Sequence, residues 1–176
     1  MLKNKQKGFT LLELLVVIGI IGLLASILVV NLTSARRRAR DTKRIADIRN
    51  LQTASEDYYG KNAKYPATLA DLVSGGQIPS WPLDPLAASG TSCTVNSDLC
   101  YWYASYTPAG ALGPQSYHFG SSLEDTGSQL LNQDRDCNST TGTGCPFVAA
   151  YTSGYNGADA AGCGGAANRY CYDIAQ

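Results

Sequence analysis

Cysteine is missing from the first 92 residues of this chain and proline from the first 65, and after residue 88 only Arg135 and Arg169 carry positive charge. Each absence excludes something. Without proline, nothing obliges a helix to kink or stop before Pro66. The acidic second half repels polyphosphate, so nucleic acid is not expected as a main partner there. One histidine, His118, and no Cys-x-x-Cys pair exclude the usual zinc spacings. There is no internal repeat and no glycine-rich phosphate loop. His118 alternates as a strand residue in Ser116-Tyr117-His118-Phe119, with no nucleophile or orienter identified beside it, and reads as structural or exposed rather than catalytic.

What is present is unevenly placed. Residues 1–50 hold ten Lys/Arg against Glu13, Asp41 and Asp47, a basic third ahead of an acidic half, which argues for two environments. All six cysteines (Cys93, Cys100, Cys137, Cys145, Cys163 and Cys171) lie in the Gly-, Ser- and Thr-rich second half. An even count there reads as disulfides in an oxidising compartment. Six cysteines allow 15 pairings. Spacing favours the local loops Cys93–Cys100, Cys137–Cys145 and Cys163–Cys171.

From Phe9 to Val30 the run FTLLELLVVIGIIGLLASILVV carries one charge, Glu13. At about 1.5 Å per residue a helix of this length suits a bilayer core, and it is too long for a secretory signal. Basic residues are more numerous after the run than before it, which alone would leave the C-terminal part in the cytoplasm. The cysteines put that part outside, and long domains translocate largely regardless of charge. A carboxylate at membrane depth costs about 2.5–3.5 kcal/mol even on lenient scales, so Glu13 calls for a function.

The leader with Lys3, Lys5 and Lys7, then Gly8-Phe9-Thr10-Leu11-Leu12-Glu13 and an unbroken apolar helix, resembles the class III signal of type IV pilins and type II secretion pseudopilins. The resemblance implies that a prepilin peptidase cuts between Gly8 and Phe9 and N-methylates Phe9. It also implies that Glu13 of one subunit pairs with the Phe9 amine of the next, so that the chain polymerises with itself on an inner-membrane assembly platform, together with minor pilins. A paired charge need not carry the cost of an uncompensated one. Gly19 and Gly22 would let helices approach closely. Where many members carry a proline, this chain reads Val29-Val30-Asn31-Leu32, so no kink is obligatory.

The implied architecture is α+β, the type IV pilin fold: a long N-terminal helix, half of it transmembrane, packed on a small antiparallel sheet. Its parts are a cleaved leader (1–8), a transmembrane and polymerisation helix (9–32), an amphipathic continuation (33–60), a loop (61–88) and a disulfide-containing β-rich head (89–176). The residues agree. Ile45, Ile48, Leu51, Ser55, Tyr58 and Tyr59 form one helical stripe, and Gly60 is placed to cap it. Arg37/Asp41 and Lys43/Asp47 are spaced to pair on a solvated face. Thr68 and Asp71 open a short helix as a capping box. Strands are expected at 99–106, 115–123, 147–153 and 170–174, giving a three- or four-stranded sheet.

Asp134, Asp136, Asn138 and Thr140 alternate as oxygen ligands do at the start of a calcium loop, but Ser139 and Cys145 break the EF-hand pattern. The family resemblance implies calcium held by acidic residues near the C-terminus, with Asp159 joining them. A polar turn braced by Cys137–Cys145 is the alternative. The functional expectation is a structural filament subunit, not an enzyme, first in the cytoplasmic membrane and then in an extracellular or periplasmic filament. The alternative is a minor or tip pilin acting as an adhesin or DNA-uptake module.

Overall fold

The computed structural model describes residues 8–91, 93, 96, 97, 99–159, 162–165 and 168–176, with the side chains of residues 27–31 outside that description. Of the expected leader, only Gly8 falls within it. The chain divides into two units between Arg37 and Arg38.

Helix α1 spans Leu11–Asn62. Its start is a capping box: the Thr10 N–H and hydroxyl donate to Glu13 Oε2 at 2.8 and 2.9 Å, and the Glu13 N–H returns to Thr10 Oγ1 at 3.2 Å. In the first unit the described apolar side chains from Leu11 to Leu24, and Leu32, stand in the open. In the second unit, Ile45, Ile48, Leu51 and Ala54 are buried. The helix does not stop at Gly60 as expected. It runs two residues further, and Ala63, at φ 54°, takes the left-handed position, its N–H reaching Tyr59 O at 2.8 Å. Glycine is the commonest residue at that conformation, not the only one.

The second helix, α2 (Leu69–Ser74), buries Leu69 and Leu72, and the Thr68 N–H donates to the Asp71 carboxylate at 2.8 Å. Strands β1 (Trp102–Tyr106), β2 (Ser116–Leu123) and β3 (Tyr170–Ala175) form one antiparallel sheet with β2 in the centre. The fourth strand expected at 147–153 does not form. Only Thr152 bridges to Ser105, Val148 is 89% exposed, and Ser153 turns to φ 59°. Gly142, with a positive φ, packs its Cα against the backbone of Val148 and Ala149, so the segment is held as a loop wall.

Every residue of β2 is buried. Its apolar face (Tyr117, Phe119, Leu123) joins the α1 stripe, Tyr65, Leu69, Leu72, Tyr101 and Tyr103 in the main core. Buried tyrosines need partners for their hydroxyls, and α1 supplies two: Tyr117 donates to Glu56 at 2.8 Å and Tyr101 to Asp47 at 2.6 Å. The opposite face carries Ser116, His118, Gly120 and Ser122. It is covered by a second core containing Cys137, Cys145, Tyr151, Tyr155, Cys163 and Cys171. Disulfides join Cys93 to Cys100, Cys137 to Cys145, and Cys163 to Cys171.

Candidate functional site

The N-terminal surface comes first in sequence. Phe9 is 92% exposed, and Leu11, Leu12, Leu14, Leu15, Val16, Val17, Ile18, Ile20, Ile21, Leu23 and Leu24 are all exposed. Apolar surface on this scale marks contact with lipid or protein. A Cβ built on Gly19 or Gly22 would meet nothing within 4 Å. Glu13, the one charge in the run, sits at the third helical position and is occupied by Thr10. Among the described residues no helix is long and apolar enough to cross a membrane; residues 27–31, inside the span expected at 9–32, have side chains outside the description.

A second group lies in the head. Carboxylate oxygens of Asp134, Asp136 and Asp159 come within 4.8 Å of one another. Asn138 does not join them through its side chain as described: its carboxamide oxygen accepts from the Thr140 N–H at 3.1 Å, closing a local turn. Among the described residues, Asp134 Oδ1 and Asp159 Oδ1 are buried without a hydrogen-bond partner. Burial, then the negative charges of Asp173 and Asp159, push the Asp134 carboxyl up to about 8. Burial and the charges of Asp136 and Asp173 raise Asp159 as well. Three crowded carboxylates, two of them with an unpartnered oxygen, suit a hard cation, which takes oxygen ligands. Beneath them, His118 Nε2 lies 2.7 Å from Asp173 Oδ2, and His118 Nδ1 lies 2.8 Å from Ser139 Oγ.

The family signature matches where the leader meets the apolar run. Residues 3–29 match the model described as the prokaryotic N-terminal methylation motif. The chain is 46% identical over 101 residues to type II secretion system core protein G of Aeromonas hydrophila, which covers 48% of this chain and 71% of that one. The chain belongs to the type IV pilin and type II secretion pseudopilin family. It is also similar to the type IV wide pilus major component PilA4 of Thermus thermophilus, 46% identical over 94 residues, 53% of this chain and 70% of that one. The match to core protein G of Escherichia coli, at 45% identity over 86 residues, covers 49% of this chain and spans only 58% of that relative's length. No solved structure matches the chain.

Within this pilin-family head, two arrangements escaped the sequence reading. Arg44, one of the basic residues that follow the apolar run, is fully buried. Its guanidinium grips Asp84 with two bonds, at 2.5 and 2.9 Å, and reaches Asp41 at 2.6 Å and Glu124 at 2.7 Å. Arg40 adds a bidentate pair to Glu124 at 2.8 and 2.6 Å. Asp41, expected to pair with Arg37, instead accepts the backbone N–H of Glu124 at 3.0 Å and of Asp125 at 2.9 Å. The clasp ties α1 to the loop before the sheet and to the end of β2. Hydrogen bonds from Arg40, and then Arg44, hold Glu124 down at about 2 against the opposing effect of burial. Lys43 and Asp47 do pair, at 3.3 Å.

The other arrangement is Ser139–His118–Asp173, which has the residue types of a hydrolase triad. All three are fully buried, the Tyr155 N–H already donates to Ser139 Oγ at 2.9 Å, and the Tyr155 ring stacks on His118 at 4.0 Å. No side of this group is open to a substrate. Burial lowers the His118 pKa despite its bond to Asp173, so the ring is neutral and donates to the carboxylate.

Proposed function

We propose that this chain is a structural filament subunit. It begins as a single-pass membrane precursor anchored by the run 9–32, with the head outside. A prepilin peptidase cuts it after Gly8 and N-methylates Phe9. The first part of α1 then packs against the same helix of other copies, with Glu13 of one subunit pairing with the Phe9 amine of the next and Gly19 and Gly22 at the close approaches. The assembly platform and minor pilins are the expected partners. The observation that carries this reading is the exposed apolar surface from Phe9 to Leu24 with a single carboxylate beside the cut.

The capping box adds a physical detail. In the lone subunit Thr10 satisfies Glu13, so the carboxylate does not stand unpaired before assembly. On assembly it exchanges a neutral hydroxyl and amide for a cationic amine, a stronger partner. The test is mass spectrometry of the N-terminus of protein from sheared filaments. A chain beginning at methylated Phe9 supports the reading, and a chain still beginning at Met1, confined to membranes of cells with active peptidase, refutes it. Glu13→Ala is expected to leave the chain processed but unassembled. Abundance along the filament separates a major subunit from a tip adhesin or DNA-uptake pilin.

Asp134, Asp136 and Asp159 are the residues that would hold calcium in the head. The Oδ1 atoms of Asp134 and Asp159, buried without a hydrogen-bond partner among the described residues, and the crowding of like charge fit a divalent ion. Asn138 stands in the same loop, turned to Thr140. The ion would neutralise the cluster and cross-link residues 134–136 to residue 159.

A further inference from the structure

The proposed calcium set raises the question of what holds three ligands from two loop segments in register. We propose that Asp173 and His118 are positioning residues for that cation, set one layer beneath it in the sheet; the inference rests on the calcium reading above. Asp173 lies in β3 and pairs across the sheet with Gly120, two residues from His118 on β2. Its carboxylate is fully buried and takes three hydrogen bonds. Oδ1 accepts the Asp136 N–H at 2.9 Å, and Oδ2 accepts the Cys137 N–H at 2.9 Å and the His118 ring N–H at 2.7 Å. Asp173 stands outside the group of three carboxylates and is bonded to the loop that carries them, so it acts on the cation through that loop.

Its main chain extends the grip. The Asp173 N–H donates to Asp134 Oδ2 at 3.2 Å, and its carbonyl accepts the Arg135 N–H at 3.3 Å. One residue therefore fixes four consecutive positions, 134 to 137, which carry two of the three ligands. Asp136 is held there at φ 51°, a left-handed conformation that a residue with a side chain seldom adopts without support. The third ligand arrives by the same route. A Cβ on Gly157 would lie 2.6 Å from both Asp173 Oδ2 and the Cys137 carbonyl, so only glycine lets residues 157–159 close over the carboxylate and bring in Asp159. The Asp159 N–H then donates to Asp136 Oδ1 at 3.3 Å.

His118 locks this hub. Its ring is clamped between Ser139 Oγ and Asp173 and stacked on Tyr155, which leaves it one orientation. Groups that orient ligands from behind in this way typically change metal affinity 10–100-fold when removed.

The experiment uses the full chain in detergent micelles, with calcium as the probe. Calorimetry is expected to give one ion per chain, lost in Asp134→Asn. His118→Phe should weaken calcium at least tenfold at unchanged stoichiometry. His118→Gln, whose amide can donate to Asp173, should recover most of that loss, and both are compared with the melting temperature in chelator. Because His118 is the single histidine, its ring N–H resonance in the unaltered chain is a probe that needs no variant, and it should shift on saturation with calcium. Wild-type affinity in a folded His118→Phe chain, or a ring signal unmoved while calcium binds, overturns the positioning role and leaves the site intact. No binding by the unaltered chain overturns the site and this inference together.

Discussion

Single residues in this head work by being fully enclosed. Arg44 satisfies three carboxylates from inside the protein, and removing one partner of such a group leaves the others buried and uncompensated. Arg44→Ala is expected to cost about 3–5 kcal/mol, read as a lowered denaturant midpoint. The same clasp sets an acid limit. Glu124 is held at about 2 when folded against an ordinary value of 4.5. A depressed carboxyl contributes stability above its unfolded value and loses it as pH falls toward the folded one. Thermal melts should therefore show the head weakening between about pH 4.5 and pH 2, and Glu124→Gln should flatten that slope. Gly120 is constrained by contact rather than by backbone angle. A Cβ there would sit 2.5 Å from Tyr155 Oη. Gly120→Ala should cost about 1–3 kcal/mol by overpacking. Tyr155→Phe, which deletes a buried hydroxyl without a partner among the described residues, should be neutral or stabilising.

At the level of elements, legibility followed local signals. The long helix could be read because nothing before Gly60 breaks it, and β2 because Tyr117, Phe119 and Leu123 alternate. The other face of β2 could not be read. Ser116, His118, Gly120 and Ser122 look like a solvent face, and only tertiary cover from the disulfide loops buries them. The segment 147–153 has strand composition, yet Gly142 and the Cys137–Cys145 bridge hold it as a wall. Arg44 was illegible because its partners Asp84 and Glu124 lie 40 and 80 residues away, where no spacing rule reaches. Of the acidic group, the alternation of Asp134 and Asp136 was visible, whereas the hub at Asp173 was not, since a lone aspartate in a terminal strand carries no motif. The bridges give a prediction of their own. Replacing Cys137 and Cys145 by serine should cost about 2–4 kcal/mol, and it should loosen Tyr155 along with the loop, seen as faster exchange at Ser139 and Tyr155.

On the filament reading proposed above, the exposed apolar surface would be covered by other copies, and the head would have to stay intact outside. If calcium occupies the head, chelation should lower its melting temperature, by an amount that grows with the calcium concentration used for comparison. At 100 times the dissociation constant the difference is worth about 2.7 kcal/mol. The full burial of β2 has a last consequence, and it concerns timing. One side of that strand is sealed by α1, which needs no chemistry, but the other is sealed by loops closed through Cys137–Cys145 and Cys163–Cys171. Thiols stay reduced in the cytoplasm, so a chain still on that side has half of its sheet uncovered. The head is therefore expected to resist protease only once its thiols are oxidised, which limited proteolysis of the reduced and the oxidised chain would show.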